Sequence, residues 1–182
     1  PAKDIGRIRP AEAPMPRPAY PVTTAVRALR DAKVEFTPHL YPFVEHSGTH
    51  HVSEHFHIPE HRVIKTLVMQ DDGRRPFIVL MHGDREVSTR QLARELGVKR
   101  VEPCSEKDAQ RCTGYVVGGI SPLGTRVRLP VHAEASIFEL ERIFINGGKR
   151  GFMVEIDPAD LEKAFPVKRV HVAVKERSTP LK

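Results

Sequence analysis

The sequence predicts a single α+β domain with a mixed, mostly antiparallel β-sheet surrounded by helices. Three observations carry that expectation. Short apolar runs bounded by Gly, Pro, Asn or Asp recur as strands do, at residues 63–70, 77–81, 143–146 and 152–156. Segments opened by Ser or Thr and carrying apolar residues at helical spacing fall between them irregularly, without the strict alternation of a doubly wound fold. With 182 residues, 40% of them apolar, and only 2 cysteines, the chain is long enough to bury one core without a disulfide framework.

The elements follow in order. Residues 1–20 hold Pro10, Pro14, Pro16 and Pro18 with no apolar period, and are expected to be a flexible arm before a folded domain at 21–175 and a tail at 176–182. Thr23 or Thr24 caps a helix whose apolar face runs through Ala25, Val26, Leu29 and Ala32, ending near Lys33. A short strand is expected over 34–41, broken by Pro42, then a helix over 51–57 stopped by Pro59. Residues 63–70 form a strand apolar on both faces, which both faces of the fold must cover, and Asp72-Gly73 turns it into a hairpin with 77–81. Ser88 caps a helix running to Leu96, with Gly97 at its end, and residues 105–111 form another with acidic residues in the first turn. Strands are expected at 127–131, 143–146 and 152–156, a helix from Asp157-Pro158 to about residue 165, and a last strand at 167–174.

The balance of 29 Lys and Arg against 23 Asp and Glu gives a formal charge of +6, compatible with a polyanionic partner, although charge alone does not identify one. No run of about 18 apolar residues suits a membrane span, and the Pro- and Arg-rich start lacks the apolar stretch of a secretory signal. No membrane contact and a cytoplasmic location are expected. Cys104 and Cys112 fit no metal or redox spacing and are read as reduced thiols. Six of the 10 histidines fall between His46 and His61, and His51 and His55 share a helical face, but no H-E-x-x-H motif frames them. A solvated, pH-sensitive surface and a metal site both fit that segment, and the expectation is no metal. Asp84, Glu155 and Asp157 stand isolated, so no general acid and base pair is visible.

Two glycine clusters are the most informative feature. Gly118-Gly119-Ile120-Ser121-Pro122-Leu123-Gly124 is neither a phosphate-binding loop nor a nucleophile elbow, since position 123 is Leu. Together with Asn146-Gly147-Gly148-Lys149-Arg150-Gly151 it reads either as wide surface turns or as a site built from main-chain N–H groups. Lys65 lies inside an otherwise apolar strand, where lysine either snorkels to solvent or faces an anion.

Read together, Val63-Ile-Lys-Thr-Leu-Val, Gly114-Tyr-Val-Val-Gly-Gly-Ile-Ser-Pro-Leu-Gly and Asn146-Gly-Gly-Lys-Arg-Gly, with Tyr41 before them, resemble the YbaK-type aminoacyl-tRNA deacylases, relatives of the editing domain inserted in bacterial prolyl-tRNA synthetases. The likeness covers about residues 21–165. It implies a mixed, partly barrel-like sheet with a pocket between the lysine strand and the glycine loops, and no cofactor. It also implies a trans-editing enzyme acting on mischarged tRNA, with prolyl-tRNA synthetase as a possible partner. By the same resemblance Lys65, Gly118 and Gly119 are the catalytic positions, the loop N–H groups holding the scissile carbonyl. Tyr41, Thr66, Ile120, Ser121, Pro122, Asn146, Gly147, Gly148 and Met153 would contact substrate, and Lys149 and Arg150 the tRNA. Arg85, Arg90, Arg94, Lys99 and Arg100 are further candidate phosphate contacts. The likeness is nearest to enzymes that hydrolyse Cys-tRNA(Pro), where the substrate thiol attacks its own carbonyl. Those relatives tend to carry Ser and Asp where this chain has Asn146 and Met153. Ala-tRNA(Pro) hydrolysis by a bound water, and a non-catalytic module binding tRNA or a synthetase, are the alternative readings.

Overall fold

The computed structural model describes residues 19–175, so the expected tail and the arm up to residue 18 lie outside the described residues. Helix α1 (Thr24–Asp31) is capped as its sequence dictates, the Thr23 hydroxyl accepting the Val26 N–H at 3.1 Å, and it buries Ala25, Val26 and Leu29. Tyr20, just before it, stacks on Phe152 with ring centroids 6.0 Å apart. Strand β1 (Thr37–Leu40) is shorter than expected, because Val34 closes the end of α1 by donating to the Leu29 carbonyl at 2.9 Å. Helix α2 (Gly48–Phe56) begins three residues before the expected start, and His57 ends it in a left-handed conformation.

Strands β2 (Ile64–Asp71) and β3 (Pro76–His82) form the expected hairpin. Strand β4 (Arg85–Val87) follows, and α3 (Thr89–Leu96) is capped by the Ser88 hydroxyl and closed by left-handed Gly97. Strand β5 (Val101–Pro103) precedes α4 (Glu106–Thr113), which is capped by Ser105. Three-residue strands such as β4 and β5 carry too little alternation to be read from sequence.

The strand expected at 127–131 is displaced to β6 (Val131–Glu134), since Pro130 has no N–H to give a ladder and lies just outside it. Strand β7 (Ile143–Lys149) runs through Gly147 and Gly148, which sequence reading treats as a connecting loop. A bulge between Asn146 and Lys149 absorbs them, and the turn to β8 (Phe152–Ile156) shrinks to Arg150-Gly151. A 3-10 turn over Pro158–Asp160 leads into the single turn of α5 (Leu161–Ala164). The last expected strand divides into β9 (Val167–Val170) and β10 (Ala173–Lys175), because the buried Glu134 carboxylate accepts the N–H groups of Val172 and Ala173 at 2.8 and 2.9 Å.

The fold is α+β. The strands form a five-stranded sheet β5-β2-β3-β6-β9, a three-stranded sheet β1-β8-β7 and the pair β10-β4. Among the described residues only β3–β6 and β6–β9 are parallel. The partly barrel-like closure expected from the resemblance is not formed, because among the described residues the two larger sheets are joined in backbone pairing only by the bridge Val63–Phe144 and each keeps its own edges.

Strand β3 is covered on both faces. Ile78 and Leu80 join the main core with α1 and the inner residues Ile143, Ile145, Phe152 and Val154, while Phe77, Val79 and Met81 pack under α3 against Leu92. Each such fully buried Leu or Ile contributes about 1.5–3 kcal/mol. A third cluster, Val52, Val63, Phe144 and Met153, seats α2 over the junction of the sheets. No helix of the described residues is long and apolar enough to cross a membrane.

Candidate active site

The site arises where β2 runs out of partners. Strand β5 pairs only with Met69–Asp71, so that among the described residues no strand pairs with the outer edge of residues 64–67. The Val68 carbonyl accepts the Cys104 N–H on that side at 2.9 Å, and the period of two therefore turns the N–H and C=O of Thr66 to the same edge. Along it lies a cavity of about 550 Å³, a size that suits a nucleoside-sized ligand.

Lys65, Thr66, Tyr41, Gly118, Ile120, Asn146, Arg150 and Met153 all line this cavity, so the structure brings together the lysine strand, one glycine loop and the β7–β8 hairpin. Lys65 is half-buried, and among the described residues no carboxylate pairs with its ammonium. The Thr66 hydroxyl is buried without a hydrogen-bond partner among the described residues. Burial also raises the Tyr41 phenol above its ordinary value, opposed by a hydrogen bond with the Gly151 backbone, so it stays a neutral donor.

The loop at 116–120 is held from outside by side chains. Asn146 Nδ2 donates to the Gly118 carbonyl at 3.1 Å while its Oδ1 accepts the Gly148 N–H at 2.8 Å. Arg150 Nε donates to the Val117 carbonyl at 2.8 Å. Because a trans peptide sets its C=O and N–H on opposite sides, fixing the Val117 carbonyl also fixes the direction of the Gly118 N–H. The N–H groups of Gly118 and Ile120 have no protein partner among the described residues, whereas that of Gly119 donates to the Val116 carbonyl at 2.9 Å. Gly118 takes φ +87°, and a Cβ there would stand 2.9 Å from Phe43.

Other expected contacts lie elsewhere. Gly119 packs against the Lys149 and Arg150 backbone, where an added Cβ would be 2.9 Å from the Arg150 nitrogen. Ser121 is fully buried, its hydroxyl accepting the Leu123 N–H at 3.3 Å, and neither it nor Pro122 lines the cavity. Gly147 and Gly148 face Phe152 and Tyr115 respectively. Lys149 lines a neighbouring groove. Arg85, Arg90, Arg94, Lys99 and Arg100 belong to the β4, α3 and β5 region and do not line the cavity.

Sequence reading overlooked Phe43 and Glu106, which also line the cavity. The signal for Phe43 was a second aromatic two residues after Tyr41, kept on the same side past Pro42.

The histidines divide among several tasks. His51 Nε2 lies 2.8 Å from the Pro42 carbonyl, and His55 packs against Phe56 with ring centroids 4.7 Å apart. Among the described residues no three His, Cys, Asp or Glu side chains gather as a metal-ligand set. Two of the carboxylates isolated in sequence have partners in space: Asp84 pairs with His61 at 2.8 Å, and Glu155 with His39 at 3.0 Å and Arg62 at 3.4 Å. Fully buried His82 stacks on His61 at 3.6 Å, and burial, with the neighbouring His61 charge, lowers its pKa below 6.5. Burial pushes the Cys104 thiol up to about 11.

Residues 46–164 match the family described as the aminoacyl-tRNA editing domain. The Enterococcus faecalis protein named "Putative Cys-tRNA(Pro)/Cys-tRNA(Cys) deacylase EbsC" is 31% identical over 75% of this chain and 84% of its own length. A proline–tRNA ligase of Streptococcus equi subsp. zooepidemicus is 28% identical over 73% of this chain, which spans 20% of the ligase. The crystal structure of "a putative trans-editing enzyme for prolyl tRNA synthetase" superposes with a TM-score of 0.71 at 16% identity, covering 84% of this chain and 97% of the other.

Proposed function

This chain belongs to the aminoacyl-tRNA editing domain family, and from that premise we propose that it is a trans-editing deacylase that removes cysteine from mischarged tRNA(Pro), and from Cys-tRNA(Cys) as a second substrate. The observation that supports this most is that one cavity is lined by Lys65, whose ammonium has no carboxylate partner among the described residues, and by Gly118 and Ile120, whose N–H groups have no protein partner among the described residues.

In this reading the amino acid and terminal adenosine enter the cavity, with Lys65 and the Thr66 hydroxyl beside the ester. The cysteine sulfur attacks its own carbonyl carbon. A carbon–sulfur bond forms, the bond to the ribose oxygen breaks, and the thiol proton leaves with that oxygen. The protein supplies placement and charge stabilisation. Each N–H oriented on the developing oxyanion is worth about 3–4 kcal/mol in the transition state. Asn146 and Arg150 act through the carbonyls they hold, keeping Gly118 oriented. The acceptor end of tRNA is the partner at the site, with prolyl-tRNA synthetase as its source of mischarged substrate, in the cytoplasm.

One observation favours a second substrate. Met153 is 3% exposed in the Val52–Phe144 cluster and gives the cavity wall no carboxylate at that position. An apolar pocket separates side chains that differ by one small group by only about 1–3 kcal/mol, so alanine, which lacks only the sulfur of cysteine and would be attacked by a bound water, is the competitor. Single-turnover hydrolysis of Cys-tRNA(Pro) and Ala-tRNA(Pro) by wild type and Lys65→Ala tests the reading. Fast loss of cysteine that falls at least about tenfold in the variant is expected. Preference for alanine would replace the substrate, and binding without turnover of either would reduce the protein to a recruitment module.

A further inference from the structure

Next to the cavity lies a second, more open groove of about 520 Å³. The two hollows share a wall made of Tyr41, Phe43 and Arg150, and beyond that wall the groove presents Leu40, His55 and Lys149. Leu40 is 52% exposed at the end of β1, an apolar side chain left in water. The Arg150 guanidinium lies 5.0 Å from the centre of the Phe43 ring. Its Nε is held by the Val117 carbonyl, but the side chain remains 44% exposed, and among the described residues its terminal nitrogens meet only the outlying Glu45 carboxylate, at 3.8 Å.

Rings and apolar surface flanked by two cations form the chemistry of a single-stranded nucleic acid platform, in which bases stack on side chains and Arg or Lys meets the phosphates. An acceptor end is continuous chain. A terminal nucleoside seated in the cavity brings its 5′ phosphate to the cavity mouth, and the next nucleotide must lie directly outside. The shared wall carries a guanidinium at that crossing point.

We infer that the groove binds the penultimate nucleotide of the acceptor end. Its base packs against Leu40, Phe43 and His55, and the phosphate linking it to the terminal nucleoside lies at Arg150 and Lys149. The inference rests on the proposed deacylase reading and extends it from one nucleotide to two. It gives the cationic hairpin a defined phosphate, in place of general attraction to RNA.

The test compares hydrolysis of cysteinyl-adenosine, a cysteinyl cytidylyl-adenosine dinucleotide and Cys-tRNA(Pro) by wild type, Leu40→Asp and His55→Glu. Wild type is expected to gain at least about tenfold in kcat/KM from the nucleoside to the dinucleotide, the scale of one stacked base. Both variants should lose most of that gain, so that the ratio between the two substrates collapses. A dinucleotide no better than the nucleoside overturns the groove, as does a gain that survives in both variants. Absence of turnover on all three substrates defeats the deacylase reading instead. In that case an NMR titration with the unacylated trinucleotide CCA decides the groove: shifts at Leu40, His55 and Lys149 support it, and their absence overturns it.

Discussion

At residues 146–151 the glycines face protein. A Cβ on Gly147 would stand 2.5 Å from the Phe152 ring, one on Gly148 2.8 Å from Tyr115, and one on Gly151 2.7 Å from the Tyr41 carbonyl. At residues 118–120 the approaches are as close, yet the Gly118 and Ile120 N–H groups find no protein partner among the described residues. The first segment seals β7 against α1 and the core, and Gly118 and Ile120 of the second line the cavity. Glycine in both reports close approach; the Gly148 N–H is taken by Asn146 Oδ1, whereas those of Gly118 and Ile120 meet no protein acceptor among the described residues.

The largest effect expected from this contrast is catalytic. Gly118→Ala adds a methyl 2.9 Å from Phe43 to a residue at φ +87° and turns one donor away, so single-turnover deacylation should fall about 100-fold. A rate within about threefold of wild type would break the contrast. Gly148→Ala should act on stability instead. At φ +89°, with Tyr115 at 2.8 Å, it should cost about 2–3 kcal/mol in urea unfolding while the folded fraction keeps most of its rate. Unchanged stability would show that the seal is loose.

Asn146 links the two segments, and its replacement sharpens the comparison. Asn146→Ala should lower kcat about tenfold with little change in KM, a loss of about 1.4 kcal/mol in the transition state. Asn146→Asp keeps the acceptor for the Gly148 N–H and loses the donor to Gly118, so it should fall with alanine if the loop contact matters. A KM effect alone would make Asn146 a substrate contact.

The smallest effect lies outside both segments. The pKa of His82 is lowered from 6.5 in the fold, by burial first, whereas the unfolded chain takes up a proton near that value. Below pH 6.5 the unfolded state binds more protons, so stability should fall on acidification, by at most about 1.4 kcal/mol per pH unit for this one group. His82→Gln should flatten that slope in urea titrations between pH 5 and 7. The same slope should persist in Gly118→Ala.

Much of the fold was legible because it was written locally. Thr23, Ser88 and Ser105 announce three helices by a single hydroxyl each, and Gly97 closes one. What failed depended on distant partners. The chain after Val170 changes sheets because a glutamate on β6 takes two of its N–H groups, and the 146–149 segment stays a strand because Phe152 and Tyr115 leave room for glycine alone. For the site, motif order singled out Lys65, Thr66, Gly118, Ile120, Asn146 and Met153, and all six line one cavity. It did not separate cavity walls from packing neighbours such as Ser121 and Gly147, since a motif records adjacency in sequence and not the direction in which a group faces.

The open edge of β2 has a second consequence. Unpaired strand edges are templates on which another chain can add itself, the starting point of aggregation, and proteins usually blunt them with charge or cover. Here the exposed stretch carries Lys65 and lies at the floor of a hollow walled by Phe43 and the 116–120 loop. The same residues that line the ligand cavity therefore stand over the one stretch of β2 that β5 leaves unpaired among the described residues, and the charge of Lys65 adds the kind of blunting that such edges need.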